Sequence, residues 1–315
     1  MLFFTHPASL EHDPGELMPG HPDTPERIVA IEAALHERGW LGMERREAPA
    51  ASERQLELVH TPRLIAEVRE MSEAGGGRID ADTAVNAATY RAAVHAAGGA
   101  CELTRALLRG EAEVGYSCMR PSGHHAEPDR AMGFCFFDNV AIAAAMAIAD
   151  HGLERVMVLD WDVHHGNGTG EIFRRRDDVL FFSLHQSPLY PGTGPASDKG
   201  SGPGEGFTVN LPVAPGSGED VWLGLIDEVV IPTTERYRPQ LILVSAGYDA
   251  HREDPLASCA LESTSFAAMA TRVGDLAARL GVPLGLVQEG GYHVPSLVES
   301  LLATLGALGA QPAEA

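Results

Sequence analysis

Short apolar runs recur along this chain, and most end in a cluster of polar side chains. Met1–Phe4, Val114–Met119, Val156–Leu159, Leu241–Val244 and Leu284–Val287 have the length and content of buried strands. Between and around them lie helix-like stretches: Thr24–Arg38, Leu56–Met71, Tyr90–Leu108, Asn139–Asp150, Asp220–Tyr237, Ser265–Leu280 and Pro295–Leu305. Strands that alternate with helices over this length predict an α/β chain, with a mostly parallel sheet and helices on both faces. Two stretches read as long loops, His6–Pro25 and Pro188–Gly206. They are either lids over a site or merely mobile surface. No repeat or linker divides the 315 residues, so a single domain over 1–315 is expected.

A hydrophobic share of 44% is ample for a core. No apolar run reaches 18 residues; Val140–Ala149 is too short to span a bilayer. The N-terminus lacks a basic segment followed by a full apolar one, so no signal peptide is read and a cytoplasmic location is expected. Cys101, Cys118, Cys135 and Cys259 show no paired spacing and read as buried free thiols. The net charge of −21 argues against direct binding of nucleic acid or an anionic membrane, both of which need a basic footprint. It suits a cationic substrate, and equally suits plain solubility. Oligomerisation is left open.

The candidate chemistry sits where the apolar runs end. Asp160, Asp162 and His164 occur at every second position after Val156–Leu159. On an extended backbone they share a face and present oxygen and nitrogen donors to one point, as a borderline divalent metal requires. A solvated strand end is the plain alternative. It is disfavoured because five ionisable or amide side chains (Asp160, Asp162, His164, His165, Asn167) would be costly there unless used. Arg120-Pro121-Ser122-Gly123-His124-His125-Ala126 is a second cluster, in which a turn at Pro121 and Gly123 brings both imidazoles into one pocket. Ser245–Asp249 and Glu289–His293 are the third and fourth. All four lie beyond the C-terminal ends of strands, where parallel sheets build their sites.

These motifs, in this order, resemble the zinc-dependent histone deacetylase superfamily, and within it the class II-like bacterial deacetylases and histone deacetylase-like amidohydrolases. The matching residues are Arg120–Ala126, Gly133-Phe134-Cys135, Asp160–Thr169, Ser183-Leu184-His185, Asp249 with Asp254-Pro255-Leu256, and Glu289–Tyr292. The resemblance implies the arginase/deacetylase fold, with an eight-stranded mostly parallel sheet, helices on both faces and long active-site loops. It implies a zinc amidohydrolase that removes acetyl or other acyl groups from lysine side chains. Acetylpolyamine or other small-amide hydrolysis shares that mechanism. An inactive acyl-lysine binding module is the alternative of another class.

By the same resemblance Asp162, His164 and Asp249 hold the catalytic ion, zinc or ferrous iron. His125 moves protons, oriented by Asn167. His124 acts electrostatically, held by Asp160, and Tyr292 donates to the oxyanion. Gly133, Phe134, Tyr190, Leu256 and Gly290 contact substrate, with Tyr190 in place of the family's usual Phe. Leu256 stands where polyamine-selective members carry an acid, which favours acyl-lysine, although Glu11, Asp13 and Glu16 on the first long loop are alternative acids. Potassium is implied near Asp160, Asp162, His164, Ser183 and Leu184, largely through backbone oxygens. Arg27 matches an arginine of the product-release region, or is simply a surface helix residue. His165 and His185 read as structural. His6, His12 and His21 either line the mouth or are plain loop residues. His251 and His293 shape the rim or face solvent.

Overall fold

The computed structural model describes residues 1–311; the last four positions of the 1–315 domain lie outside the described residues. Ten strands form in chain order: β1 Leu2–Thr5, β2 Glu44–Glu47, β3 Gly76–Arg78, β4 Ala84–Asn86, β5 Val114–Ser117, β6 Val156–Asp160, β7 Val179–Gln186, β8 Thr208–Val213, β9 Leu241–Ala246 and β10 Leu284–Gln288. Eight of them make one sheet in the order β2-β1-β5-β10-β9-β6-β7-β8, and every adjacent pair is parallel. The expected fold is therefore met. β3 and β4 form a separate antiparallel hairpin.

The central strands read as continuous apolar runs because both faces of the sheet are covered. Met157 and Leu159 of β6 enter one core with Ile242, Val244 and Leu286. Val156 and Val158 enter the other with Leu241, Leu243 and Val287. The first face is covered by helices Glu26–Glu37, Ser263–Leu280 and Val294–Ala307; the second by Thr89–Leu108 and Asn139–His151. Asp138 caps the last of these through Ala141 N, and Gly152 closes it in the left-handed region at φ 70°. Among the described residues no helix is long and apolar enough to cross a membrane. All four cysteines are free and buried.

Two expected elements differ. The stretch Leu56–Met71 is not one helix. A short turn, Glu53–Leu56, ends, and a new helix starts at Pro62, with the Thr61 hydroxyl accepting from Leu64 N. Proline at the first helical position has no amide to lose there, so it starts helices and does not continue them. The stretch Asp220–Tyr237 is continuous, but Ile226–Val230 has π-helical spacing just before Pro232.

The first long loop is neither open lid nor loose surface. It carries a short helix, Ala8–Glu11, and is held by a buried ion-pair network. Arg120 donates from Nε to Asp23 Oδ1 (2.6 Å) and from Nη2 to Oδ2 (2.9 Å); its Nη1 reaches the carbonyls of Ser9 and His12. Arg27 donates to the same Asp23 Oδ1 (2.7 Å) and to the carbonyls of Gly291 (2.7 Å) and Glu289 (2.6 Å). Burial disfavours a charged Asp23, but the two guanidinium groups outweigh it and hold the carboxyl far below its usual range. The network thus ties the loop to the segment after β10. Removing the shared anion leaves two buried cations unpaired. Asp23→Ala should therefore cost about 3–5 kcal/mol in urea unfolding. A cost within the roughly 0–1 kcal/mol of an exposed pair would contradict this role.

Candidate metal centre and active site

β6 ends at Asp160, one residue before the chain leaves the sheet. Asp162 and His164 therefore lie on the following turn. The simple alternation that placed Asp160 beside them does not hold: Asp160 Oδ1 instead accepts from the Asp162 amide (3.0 Å) and its Oδ2 bonds His124 Nδ1 (2.9 Å). The third member of the cluster comes from the turn after β9. His164 Nδ1 lies 3.1 Å from both Asp162 Oδ1 and Asp249 Oδ2, and all three residues are buried.

This pocket is shaped for a cation. Two carboxylates and one imidazole share it. Burial and the Asp162 charge push Asp249 up to about 7, against the pull of His164. Burial opposes a charged His164, yet the two carboxylates outweigh it and raise that imidazole to about 10. Both shifts mark a pocket that favours positive charge. Glycines leave the space: a Cβ on Gly290 would lie 2.2 Å from Asp249 Oδ2 and 2.6 Å from Asp162 Oδ2, and one on Gly247 would lie 2.1 Å from Asp162 Oδ2. The Gly290 amide donates to Asp162 Oδ2 (2.9 Å) and the Val163 amide to Asp249 Oδ1 (2.8 Å), so both carboxylates are aimed by backbone. Two carboxylates and one imidazole could together hold a divalent ion such as zinc or ferrous iron.

Beside this cluster stand two imidazoles with opposite settings. Their ring centroids are 4.0 Å apart. His124 Nε2 lies 3.7 Å from Asp162 Oδ1 while Nδ1 holds Asp160. Burial lowers its pKa, but Asp162 and Asp160 outweigh that and raise it well above the ordinary value. His125 Nδ1 meets Asn167 Oδ1 at 2.7 Å. The Asn167 amide nitrogen donates to Glu127 Oε1 (2.9 Å), so its oxygen faces His125 and can only accept. Nδ1 of His125 therefore carries the proton, and Nε2 is left bare. Burial, then the charges of His124 and His164, drive the His125 pKa well below its ordinary value.

Gly133, Phe134, Tyr190 and the Tyr292 loop stand beside these imidazoles. Gly133 and Phe134 both take positive φ, 57° and 65°. A Cβ on Gly133 would lie 2.5 Å from His125 Cδ2 and 3.0 Å from Tyr190 Cε1, so only glycine fits. The strained Phe134 is held by its amide bond to Thr83 Oγ1 (3.2 Å) and by the edge of His21. Tyr190 meets the His125 ring edge-on at 5.1 Å, and Tyr292 meets Phe134 at 5.8 Å. Arg27 lies 4.8 Å over the Tyr292 ring. It is 1% exposed, so the surface reading of Arg27 is wrong. Leu256 is half-buried, and its amide donates to Asp254 Oδ1 (3.0 Å).

The chain belongs to the histone deacetylase family. A histone deacetylase domain matches residues 21–308. The chain is 46% identical to a histone deacetylase-like amidohydrolase of Pseudomonas aeruginosa, over 87% of this chain and 73% of that one. It is 41% identical to a probable deacetylase of Archaeoglobus fulgidus, over 92% and 80% respectively. Among solved structures it is similar to the HDA15 HD domain, with a TM-score of 0.94, 35% identity and coverage of 98% of this chain and 90% of that one. The family relation supports a hydrolase of the deacetylase type.

Several contributors to this family site carried no role in the sequence. Asp254 Oδ2 accepts from the amides of Tyr292 (2.6 Å) and His293 (3.3 Å), so one carboxylate fixes both Leu256 and the Tyr292 loop. Glu289 Oε2 accepts from the amides of Gly123 (2.7 Å) and His124 (3.3 Å), which sets the two-histidine turn. Their presence within the motifs was the available signal; their backbone partners, far away in sequence, were not. His165 Nδ1 bonds Thr193 Oγ1 (2.7 Å), and His185 Nε2 bonds the Gly194 carbonyl (3.0 Å). His185 lies within β7. His6 and His12 are buried in the first loop, away from solvent; His6 stacks on His95 and His12 bonds Thr89 Oγ1.

Gly290 gives a direct test of the pocket. Gly290→Ala should weaken metal retention by at least about tenfold, the smaller end of what displaced supporting groups cost a metal site. Metal content after dialysis, alongside circular dichroism, checks this. Unchanged metal retention in a folded variant would contradict the crowding.

Proposed function

We propose that this chain hydrolyses the side-chain amide of acylated lysine in proteins or peptides, with one divalent ion, zinc by preference, held by Asp162, His164 and Asp249. The observation that carries the reading is the asymmetric histidine pair beside a three-donor pocket. Two carboxylates neutralise a 2+ ion, which makes burial tolerable and leaves it a moderate Lewis acid. When bound, such an ion supplies Lewis acidity toward the amide carbonyl and the attacking water.

His125, neutral and with Nε2 bare, takes the proton from that water and later delivers it to the departing lysine nitrogen. His124 stays cationic against Asp160 and steadies the negative charge that develops. The Tyr292 hydroxyl donates to the carbonyl oxygen as it becomes an oxyanion. Burial, opposed by Arg27 and aided by Asp249 and Asp162, keeps Tyr292 protonated and able to donate. Phe134 and Tyr190 flank the lysine methylenes, and Gly133 lets them approach. Arg27, fixed to the carbonyls behind Tyr292, suits a carboxylate product on its way out. A structural potassium ion would be held near Asp160, Asp162, His164, Ser183 and Leu184, largely through backbone oxygens; Asp160 and Ser183 are paired across β6 and β7.

Leu256 at the rim favours a neutral peptide backbone over a polyamine cation. One observation favours the second reading, an acetylpolyamine: after burial, the charges of Asp82 and Asp80 are among the causes that raise the Tyr190 pKa, so carboxylates stand near the mouth. Competition between acetyl-lysine peptides and N-acetylputrescine or N-acetylspermidine separates the two. Higher kcat/KM for the peptides, and a shift toward the polyamine in Leu256→Glu, are expected; faster polyamine hydrolysis by the parent would overturn the lysine reading.

Tyr292→Phe should lower kcat by about 10²–10³ with the metal retained. A loss below about tenfold would leave the oxyanion to the metal alone and remove this role for Tyr292. Asn167→Asp places an anion on His125 Nδ1 and raises the pKa of the base. His125 then stays protonated to higher pH, so the acid limb of the kcat/KM profile should move upward by about one unit or more. An unmoved limb would mean that His125 is not the group titrating there.

A further inference from the structure

Beside the reacting centre lies a second cluster, made of His124 and two residues that the reaction does not use. His124, Cys135 and Glu289 each bring a donor atom within 4.8 Å of the others, and all three are buried. They come from three separate places: the turn after β5, the Gly133–Cys135 segment and the end of β10. Glu289 is 0% exposed, and while its Oε2 holds the Gly123 and His124 amides, its Oε1 is buried with no hydrogen-bond partner. A carboxylate oxygen left unpaired in a protein interior is expensive. Cys135 Sγ donates to the Gly133 carbonyl at 3.3 Å. His124 commits Nδ1 to Asp160, so Nε2 is the nitrogen left for a cation.

We propose that His124, Cys135 and Glu289 form a second, weaker site for a soft divalent cation, zinc or cadmium, and that filling it silences His124. Thiolate, imidazole and carboxylate are a zinc-type ligand set, whereas calcium and magnesium avoid sulfur. The charges balance once protons leave to solvent: His124 gives up the Nε2 proton that makes it cationic, Cys135 its thiol proton, and Glu289 any proton it carries, so that thiolate and carboxylate together offset the ion. The site is the weaker because His124 Nε2 also lies 3.7 Å from Asp162 Oδ1, so the second ion stands close to the first and is repelled by it. Inhibition follows because the nitrogen that steadies the reacting centre becomes a ligand. The proposal rests on the reading that Asp162, His164 and Asp249 hold the working ion.

The test starts from enzyme loaded with one equivalent of zinc. Added zinc should bind as a second equivalent by equilibrium dialysis while turnover falls. Added cadmium should give a thiolate-to-metal charge-transfer absorption that saturates at one equivalent. Cys135→Ser should abolish that absorption, and both Cys135→Ser and Glu289→Gln should weaken the second zinc by at least about tenfold while keeping the first. The parent protein alone can decide the matter if a variant fails to fold: no cadmium–thiolate absorption in the loaded parent overturns the site. Persistence of that absorption in Cys135→Ser also overturns it. Normal zinc-dependent turnover with neither signal defeats only this second site, whereas a parent with no zinc-dependent turnover defeats the proposed function.

Discussion

Burying Asp162 and Asp249 side by side is the constraint on which the rest of the structure depends. Both are 0% exposed, and among the described residues neither forms an ion pair with a lysine or arginine. Two like charges in the interior are tolerable only with a compensating cation. Every neighbouring feature serves that arrangement. Gly290 and Gly247 leave room where any Cβ would collide with a carboxylate oxygen, and backbone amides fix the direction in which the oxygens point. The sheet brings β6 and β9 together in parallel register, with Asp160 opposite Ser245, so that turns distant in sequence meet at one edge.

The same buried negative charge divides two adjacent histidines into different instruments. His124 faces Asp160 and Asp162 and is drawn toward its charged form. His125, a ring's width away, faces the neutral Asn167 amide and two competing imidazoles, and is held neutral. The distinction arises from the neighbours: two carboxylates beside His124, against burial, two imidazoles and a neutral amide beside His125. A neutral imidazole and a cationic one thereby share one pocket, the pairing that acid–base chemistry at neutral pH uses.

Strands buried on both faces were legible because their runs are apolar throughout; β6, β9 and β10 are the clear cases. The edge strand β2 was not, because Glu44-Arg45-Arg46-Glu47 has no apolar face and gains its place by pairing with β1. The break at Pro62 was legible in principle and overridden by the apolar pattern around it. In the site, period-two spacing put Asp162 and His164 together correctly on the page, yet wrongly joined Asp160 to them, since the strand stops there. Arg27 read equally well as a surface helix residue, because nothing local reveals that Asp23 and two distant carbonyls await it. Glu289 and Asp254 act on backbone amides, which leave no mark in a sequence.

The central claim is that one divalent ion in the Asp162–His164–Asp249 pocket makes this chain a hydrolase of acylated amines. The most direct measurement is titration of chelator-stripped protein with zinc while acetyl-lysine peptide turnover is followed in the same cell. The account predicts no turnover without metal and a linear rise that breaks at one equivalent. Full turnover in metal-free protein, or a rise that continues to two equivalents, would contradict it.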